Sequence, residues 1–277
     1  MGLHYLPQID RGGSPLRRFV IDRVLSPGMS VSISGAEARH MVRVLRLRPG
    51  DRVVLMDAGG ARFQGAIQSM APRGVRVYVE VPLPGPPPSP VEIILCQAVL
   101  KSRPMDFVVQ KASELGVNRI IPFFSARTVV RLDEKRHDAR LHHWKEITRS
   151  SAKQADRRAP AAIDPVRRFD DLMKRLRKEA GMKIILWEEE DTLDLKRVFR
   201  ETKEKPGFRT VIGVVGPEGG FASDEIHLAG EAGFVPVSLG HRILRAETAA
   251  ITLTALVQYE WGDLGRTGLV SPLDSPR

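Results

Sequence analysis

Cysteine is nearly absent from this sequence of 277 residues, which contains only Cys96. One thiol cannot form an internal disulfide, so the class of small secreted domains that depend on disulfides is excluded. Cys96 lies in the apolar run VEIILC, where a single thiol is typical of a small buried side chain. We therefore expect a fold that is stabilised by its apolar core in a reducing compartment.

Long apolar runs are also missing, since no stretch of about 18 apolar residues occurs in the chain. The first residues, MGLHYLPQIDRGGSPLRR, lack the apolar segment of a secretory signal. We therefore expect a cytoplasmic protein with no membrane span. No metal site and no metal partner are predicted.

Lysine is absent from the first 90 residues, where all 12 basic residues are arginine and 6 residues are acidic. Residues 91–180 carry 20 basic and 12 acidic residues, whereas residues 181–277 carry 11 and 15. The formal net charge of +10 therefore belongs to the first two thirds of the chain. This distribution indicates that the front of the chain binds a polyanion, for which nucleic acid is the natural candidate.

The region from Phe19 to Val81 contains short runs of β type separated by Gly, Pro or Asp turns, a pattern typical of a small barrel. One helix is predicted inside it, from a capping box formed by Ser34 and Glu37 to Pro49. Because arginine suits bidentate phosphate contacts, the arginines predict either an RNA-binding surface or an ordinary solvated barrel surface. The candidate RNA contacts in and just before this region are Arg17, Arg18, Arg43 and Arg46.

Six prolines occur in the ten residues VPLPGPPPSP, which predicts a stiff linker at residues 82–90. This divides the chain into an amino-terminal domain at residues 1–81, a second domain at residues 91–262 and a tail at residues 263–277. In the second domain, apolar strands such as VEIILCQAVL and TVIGVVG alternate with helices. That alternation is typical of an α/β domain with a mostly parallel sheet.

A glycine-rich turn follows one of these strands in the stretch GVVGPEGGFASDEI. A P-loop requires a lysine after its glycines, a dinucleotide-binding loop requires G-x-G-x-x-G, and the turn satisfies neither pattern. Glu218 further disfavours a phosphate ligand. The turn is therefore either a cradle for a flat, positively charged ligand without phosphates or a tight strand-to-helix connection without any ligand.

The stretch LGHRILRAETAA repeats the order of strand, glycine, loop and helix start. Glu247 falls in the first turn of the last helix, where the helix dipole favours a carboxylate whether or not it takes part in chemistry. Arg242 and Arg245 precede that helix, where the same dipole disfavours positive charge. The helix dipole therefore does not explain these two arginines, and a functional role is the alternative. Together with the acidic strand end LWEEE, three loops follow the carboxyl ends of strands and can form one pocket.

These motifs carry a family resemblance. GPEGGF, LGHRILRAETA, KSRPMDFVVQKASELGV and HWKEITRSSAKQADRRAP together resemble the RsmE family of ribosomal RNA small-subunit methyltransferases, of the SPOUT superfamily. The resemblance covers nearly the whole chain, with His241 and the two chain ends as departures. It implies a PUA-like RNA-binding barrel, a SPOUT domain with a deep carboxyl-terminal trefoil knot, and a homodimer. It also implies methylation of N3 of a uridine in 16S rRNA with S-adenosylmethionine (SAM).

The resemblance also implies roles for particular residues. Deprotonating uridine N3 costs about 1.4 kcal/mol for each pKa unit to be overcome, so the site has to accept the proton or stabilise the anion. We predict that Arg245 stabilises the anion and docks RNA, with Glu247 or Glu218 as the base; alternatively these carboxylates hold backbone amides of the knot. The positions that match SAM-binding residues of the family are Leu186, Trp187, Glu188, Val215, Gly216, Pro217, Glu218, Gly219, Leu239, Gly240, Ile243, Leu244, Arg245, Thr248 and Ala249.

Basic residues of the second domain extend the predicted RNA-binding surface. Lys145, Arg149 and Lys153 recur every four residues on one face of a helix, and Arg157 continues it, although a solvated charged face is the alternative interpretation. Lys101 and Arg103 are included because they follow a strand end beside the predicted pocket. The expected partner is 16S rRNA or the small ribosomal subunit.

Two other functions fit the same residues. A non-catalytic RNA-binding protein could retain the fold, although the intact glycines, Arg245 and Glu247 argue against this. A SPOUT methyltransferase that acts on tRNA would have the same basic barrel, so only the family resemblance favours 16S rRNA. The missing lysine and the glycine spacing disfavour a nucleotide hydrolase or a dehydrogenase.

Overall fold

The computed structural model describes residues 17–71, 74–129, 134–203 and 208–264. The chain divides into two compact units. The first unit comprises Met1–Pro88 together with the segment Ala152–Ala159, and the second comprises Ser89–Ser151 and Pro160–Arg277. Most of the predicted tail at residues 263–277 falls outside the described residues.

The first unit is built on five strands. They are β1 Arg18–Val20, β2 Ser30–Ser34, β3 Arg52–Met56, β4 Arg62–Ala71 and β5 Gly74–Leu83. They form one sheet in the order β1-β3-β4-β5-β2, in which β1 and β3 are parallel and the other neighbours are antiparallel. Because buried and exposed residues alternate along β2 and β5, one face of the sheet packs on an apolar core.

The helix predicted after Ser34 is shorter than expected. α1 spans Gly35–Arg39 and continues as a π-helical turn at His40–Val44, so the helical part ends before Pro49. The predicted capping bond is absent as well, since Ser34 makes no capping hydrogen bond through its side chain. Arg46 has a left-handed backbone with φ of 53°, a conformation that cannot continue a right-handed helix.

A buried arginine holds the segment Ala152–Ala159 in the first unit. Arg62 on β4 is 3% exposed and donates through Nη1 to Asp156 Oδ1 (2.7 Å). Its Nη2 donates to the backbone carbonyls of Asp156 (2.8 Å) and Arg157 (3.0 Å), and Arg18 Nε pairs with the same Asp156 Oδ1 at 2.9 Å. Because a buried guanidinium requires partners of this kind, the segment completes the first unit.

The second unit contains a parallel sheet of seven strands. They are β6 Glu92–Ala98, β7 Arg119–Phe124, β8 Ala162–Ile163, β9 Arg167–Arg168, β10 Met182–Leu186, β11 Thr210–Val215 and β12 Val235–Val237. The order across the sheet is β12-β10-β11-β6-β7-β8, with β9 also paired to β7, and every pair is parallel. The predicted α/β unit with a parallel sheet is confirmed.

Helices cover both faces of this sheet. They are α2 Ser102–Glu114, α3 Glu134–Gln154, α4 Phe169–Leu176, α5 Leu195–Lys203, α6 Ser223–Glu231 and α7 Ala246–Trp261. Ile93 and Leu95 of β6 face a core shared with α2, α3, α5 and α7, whereas Ile94 and Cys96 face a core shared with α4 and α6. The central strand β6 is therefore apolar on both sides, as a sheet covered by two helical layers requires.

Cys96 is fully buried in the second of these cores, as the sequence predicted. Burial raises the pKa of its thiol, so the side chain acts as a small apolar group. Across the described ranges, no helix is both long and apolar enough to cross a bilayer. The same residues contain no cluster of three or more potential metal ligands.

Candidate active site

Three loops meet at one edge of the parallel sheet. β12, β10 and β11 are neighbours and run in the same direction, so their carboxyl ends lie together. The loops that follow these strands are residues 238–245, 187–194 and 216–222. This edge therefore brings together the arginine-containing loop, the acidic strand end and the glycine-rich turn that stand out in the sequence.

The loop after β10 bonds to the chain on both sides of the end of β12. Trp187 donates its backbone N–H to the carbonyl of Val237 (3.1 Å), on the side where β10 lies. Ser238 donates its N–H to Leu193 O (3.0 Å) and accepts from Leu195 N (3.1 Å). In an extended chain the backbone groups of successive residues point in opposite directions, so the groups of Ser238 point away from β10. The end of the loop, which bonds to Ser238, therefore lies on the side of β12 opposite β10. The loop thus passes around the end of β12.

The glycine-rich turn packs closely against the loop after β10. Gly220 has a left-handed backbone with φ of 68°, and a Cβ atom there would overlap the carboxylate of Glu188. A Cβ atom on Gly216 would come within 2.9 Å of the ring of Phe221, which is buried. Glycine at these two positions therefore allows the two loops and the aromatic ring to approach one another.

A fourth segment, the loop after β7, supports the glycine-rich turn. Glu225 in the first turn of α6 is 8% exposed, and its two oxygens accept the backbone N–H groups of Ala126 (2.9 Å) and Ala222 (3.0 Å). Arg127 Nη1 donates to the carbonyl oxygen of Gly219 at 3.1 Å. Neither Glu225 nor Arg127 was predicted, although an acidic residue in a first helical turn and an arginine after a strand end are visible in the sequence.

The carboxylates of these loops differ in their partners. Glu190 accepts backbone N–H groups from Thr192 (2.9 Å) and Leu193 (3.0 Å), and its bonds to the hydroxyl and backbone of Thr192 lower the pKa of Glu190. In contrast, Glu218 and Glu247 accept no hydrogen bond from any part of the chain that the structure describes. Backbone amides of the loops are thus held by Glu190 and Glu225, and Glu218 and Glu247 are available to a ligand.

Arg245 stands at the start of α7, where it occupies the N-cap position. Its side chain is exposed, and within the described ranges it has no ion-pair partner. Its carbonyl oxygen accepts the N–H of Ala249 at 2.9 Å, which fixes its backbone to the first turn of the helix. An accessible guanidinium and the unbonded carboxylate of Glu247 therefore lie two residues apart at one helix start.

The predicted SAM-binding positions combine buried strand ends with accessible loop groups. Ile243 is 91% exposed, and a Cβ atom on Gly240 would meet open space. Gln97, near the end of β6 beside Val215, is buried, and its Nε2 lies 3.5 Å from the carbonyl of Gly216. Its Oε1 has no hydrogen-bond partner within the described ranges. Buried positions are Leu186, Val215, Gly216 and Pro217; half-buried positions are Trp187, Leu239, Leu244 and Ala249; exposed positions are Glu188, Glu218, Gly219, Gly240, Ile243, Arg245 and Thr248.

The predicted RNA contacts fall into two groups. Three of them form ion pairs: Arg18 with Asp156, Arg149 with Glu146 at 2.7 Å, and Lys153 with Glu37. Burial lowers the pKa of Lys153, and Arg157 also has a partner within the chain. The exposed members, which can reach phosphates without breaking an ion pair described here, are Arg17, Arg43, Arg46, Lys101, Arg103 and Lys145.

The parallel sheet and the three-loop edge belong to a known class of RNA-modifying enzyme. Residues 87–258 match the family described as RNA methyltransferase domain, and residues 33–79 match the RNA methyltransferase PUA domain. The ribosomal RNA small subunit methyltransferase E of Mycobacterium bovis is 32% identical over 234 residues, which are 84% of this chain and 87% of the relative. The chain belongs to the ribosomal RNA small subunit methyltransferase E family.

Two solved structures are similar to this fold. The ribosomal RNA small subunit methyltransferase E of Neisseria gonorrhoeae, bound to SAM, has a TM-score of 0.81 and 32% identity, and the match covers 90% of this chain and 99% of that chain. A methyltransferase from Legionella pneumophila in complex with SAM has a TM-score of 0.80, 30% identity and the same coverage of both chains.

Proposed function

We propose that this protein methylates N3 of one uridine in 16S rRNA and uses SAM as the methyl donor. The observation that carries the proposal is the edge where three loops of adjacent parallel strands meet, in a chain of the ribosomal RNA small subunit methyltransferase E family. Related structures from Neisseria gonorrhoeae and Legionella pneumophila contain SAM. The enzyme class and the cofactor follow from membership of this family and from the three loops at this edge of the sheet.

The groups at the edge of the sheet fit SAM. The glycine-rich turn carries exposed Glu218 and no lysine, and Glu188 is exposed beside it, so the local charge suits a cation rather than a phosphate. Buried Gln97 has an unbonded carboxamide oxygen close to this turn, which a polar ligand could satisfy. When bound, SAM supplies an electrophilic methyl group on a positively charged sulfur. The residues that would hold it are 186–188, 215–219, 239–240, 243–245 and 248–249.

Replacing Gly220 by alanine tests the cofactor loops. The variant should raise the dissociation constant for SAM about 10-fold or more, because a side chain at φ of 68° is strained and would displace Glu188. Isothermal titration calorimetry measures this constant. Gly230→Ala is the matched control, since a Cβ atom there meets nothing within 4 Å and lies in helix α6. Equal SAM affinities for the two variants would contradict the proposed loop arrangement.

The chain's own residues would handle the proton and the charge on uridine N3. Arg245 is proposed to stabilise the anion, because an exposed guanidinium without an ion pair can donate to a uracil oxygen. Glu218 and Glu247 are the proposed candidates for the base, since both carboxylates lack internal hydrogen-bond partners within the described chain. The remaining loop contacts would orient the reacting groups, and orientation alone can supply a large part of a rate enhancement.

The topology of the second unit is proposed to be a SPOUT fold with a deep trefoil knot. The loop after β10 passes around the end of β12, as its bonds to Val237 and Ser238 indicate. The chain then continues into α7, which packs against α2, β6 and β11 on the other side of β10. The segment after β12 must therefore cross the connection that follows β10, and this supports threading of the carboxyl-terminal segment.

The proposed domains are a PUA-like RNA-binding barrel at residues 1–81, a linker at 82–90, a SPOUT methyltransferase domain at 91–262 and a tail at 263–277. The first two linker residues, Pro82 and Leu83, belong to strand β5 and pair with β4, so the first sheet extends two residues beyond the predicted boundary. The match of residues 33–79 to the RNA methyltransferase PUA domain supports the first of them. Its five-stranded sheet carries exposed Arg43 and Arg46 in the connection between β2 and β3. These contiguous boundaries place Ala152–Ala159 in the second domain, whereas the structure groups this segment with the first compact unit.

A cytoplasmic homodimer without a metal ion is also proposed. α7 carries two exposed apolar side chains, Leu256 (39% exposed) and Tyr259 (69% exposed), three residues apart on one face of the helix. Burying such a face against a second copy would remove apolar surface from water. Analytical ultracentrifugation tests this assignment, and a monomer at micromolar concentration would contradict it.

Lys101 and Arg103 are proposed to bind phosphates of the RNA. Replacing both by alanine should weaken binding of a 16S rRNA transcript and lower the slope of log K against log salt by about 1.4, as expected for two lost phosphate contacts to a single strand. Fluorescence-based titrations between 50 and 200 mM salt, roughly the range over which such binding changes strongly, measure the slope. Lys196→Ala with Arg200→Ala on α5 is the control pair, since both side chains are exposed there. An unchanged slope would contradict the assignment.

Mass spectrometry of 16S rRNA from cells with and without the gene tests the proposed function. Loss of one methyluridine without the gene, and its return when the purified protein and SAM are added, is the expected result. SAM binding without methyl transfer to rRNA would favour the non-catalytic RNA-binding protein. A methyl group lost from tRNA instead would favour the tRNA methyltransferase.

A further inference from the structure

A cleft lies between α2 and α3, and its lining residues belong to none of the three loops described above. Its volume is about 420 Å³, within the range of about 300–1,000 Å³ that is usual for small-ligand pockets. Arg103, Phe107 and Gln110 of α2 line it, together with Ile147 and Ser151 of α3. The spacing of three and four residues places the lining side chains of each helix on one face. The cleft thus combines an aromatic ring, an aliphatic side chain, a cation and polar groups.

The hydroxyl of Ser151 is the unusual group in this cleft. Ser151 is 3% exposed, and its Oγ has no hydrogen-bond partner among the residues that the structure describes. A buried hydroxyl without a partner costs about 1–3 kcal/mol, and buried polar groups in folded proteins are almost always bonded. An occupant of the cleft that donates or accepts a hydrogen bond would remove this cost.

At one end of the cleft, positive charge is supplied by Arg103 and by the helix that carries it. Arg103 is exposed, and within the described part of the chain no carboxylate pairs with it. Asp106 also lines the cleft and carries a negative charge, and Trp144 Nε1 (3.2 Å) and His143 Nε2 (3.0 Å) bond to its two oxygens. The positive end of the α2 dipole adds to the guanidinium. A negatively charged group is therefore favoured at the end of the cleft where Arg103 lies.

The aromatic ring of Phe107 is accessible, with 46% of the residue exposed. Phenylalanine rings of this kind serve as stacking surfaces for the bases of single-stranded nucleic acids. The exposed carboxamide of Gln110 can both donate and accept, which suits the edge of a base. Stacking surface, base-edge partner and phosphate partner are the three elements by which proteins hold one unpaired nucleotide.

We propose that this cleft binds a single unpaired nucleotide of the ribosomal RNA, separate from the uridine that is methylated. This inference rests on the proposed function, since it takes the RNA substrate as given. The base lies against Phe107 and Ile147, the phosphate contacts Arg103, and Ser151 and Gln110 bond to the base or the ribose. A side chain from a second copy of the protein fits less well, because an apolar residue would leave the hydroxyl of Ser151 unbonded.

Ser151→Ala distinguishes binding from a purely structural role. Removing an unbonded buried hydroxyl should leave the melting temperature unchanged or raise it, whereas the dissociation constant for a 16S rRNA transcript should rise about three- to ten-fold. Phe107→Ala should raise the same constant about ten-fold or more, because one base loses its stacking partner. Val235→Ala is the control, since it shortens an exposed apolar side chain at the amino end of β12, and it should not change RNA binding.

Fluorescence anisotropy with the full-length chain and the transcript measures binding, and analytical ultracentrifugation of each variant measures its oligomeric state. Weaker RNA binding by both cleft variants at an unchanged oligomeric state supports the proposal. Wild-type RNA affinity in both, or a change in oligomeric state that accounts for the loss, overturns it. Failure of the unaltered protein to methylate rRNA would instead count against the proposed function, so the two failures are separable.

Discussion

Replacing Arg245 with alanine is expected to slow methyl transfer at least about 100-fold, while the dissociation constant for SAM changes less than about five-fold. Removing one preorganised donor to a developing anion usually costs about 10²- to 10³-fold in rate. Arg245 is exposed at the N-cap of α7, so the truncation leaves no buried group unsatisfied and should not unfold the loop. Single-turnover transfer of labelled methyl to a 16S rRNA transcript measures the rate, and calorimetry measures SAM binding.

Arg242→Ala provides the matched control for this experiment. Arg242 is an exposed arginine of the same loop, three residues earlier, and carries the same charge. If general positive charge near the RNA were sufficient, the two variants would lose activity equally. Full activity of Arg245→Ala, or a parallel loss of SAM binding, would contradict the assignment of Arg245 to the anion.

Replacing Arg62 with alanine is expected to lower the free energy of unfolding by about 3 kcal/mol or more. The guanidinium is buried and donates to the side chain and the backbone carbonyl of Asp156 and to the backbone carbonyl of Arg157, so its loss leaves a carboxylate and two carbonyl groups without that donor. Breaking one partner of a buried pair typically costs about 3–5 kcal/mol. Asp156 also has a left-handed backbone with φ of 54°, which these bonds help to maintain.

Arg52→Ala is the control for the stability measurement. Arg52 pairs with Glu80 at 3.4 Å, but its side chain is 49% exposed, and exposed pairs contribute about 0–1 kcal/mol. Urea denaturation followed by circular dichroism compares the two variants. Equal stabilities would show that the contacts of Arg62 do not stabilise the first unit.

The strands and their loops could be predicted because each signal is local. An apolar run such as TVIGVVG forms a buried strand wherever helices cover both faces of a sheet, and glycines in GPEGG permit a turn that other residues would strain. The direction of parallel strands then places three loop sequences at one edge. Helices α4 and α5 and the short strands β8 and β9 were not predicted. Two-residue strands are too short to leave a periodic pattern.

The supporting contacts of the site could not be predicted, because they join residues that are far apart in the sequence. Glu225 bonds to Ala126 across 99 positions, and Arg62 bonds to Asp156 across 94. Each of these charges looks like a surface residue until the partner segment is placed beside it. The capping box at Ser34 is the opposite case. Its sequence pattern is local and was recognised, but the side chain of Ser34 makes no capping hydrogen bond in the folded chain.

The grouping of Ala152–Ala159 with the first unit limits how this protein can be divided. A fragment that ends in the proline-rich segment contains Arg62 but not Asp156, and it would retain a buried charge without its counter-ion. Adding the missing eight residues as a separate peptide should therefore stabilise such a fragment. The sequence on the two sides of the proline-rich segment is therefore coupled, because Arg62 lies before this segment and its counter-ion Asp156 lies after it.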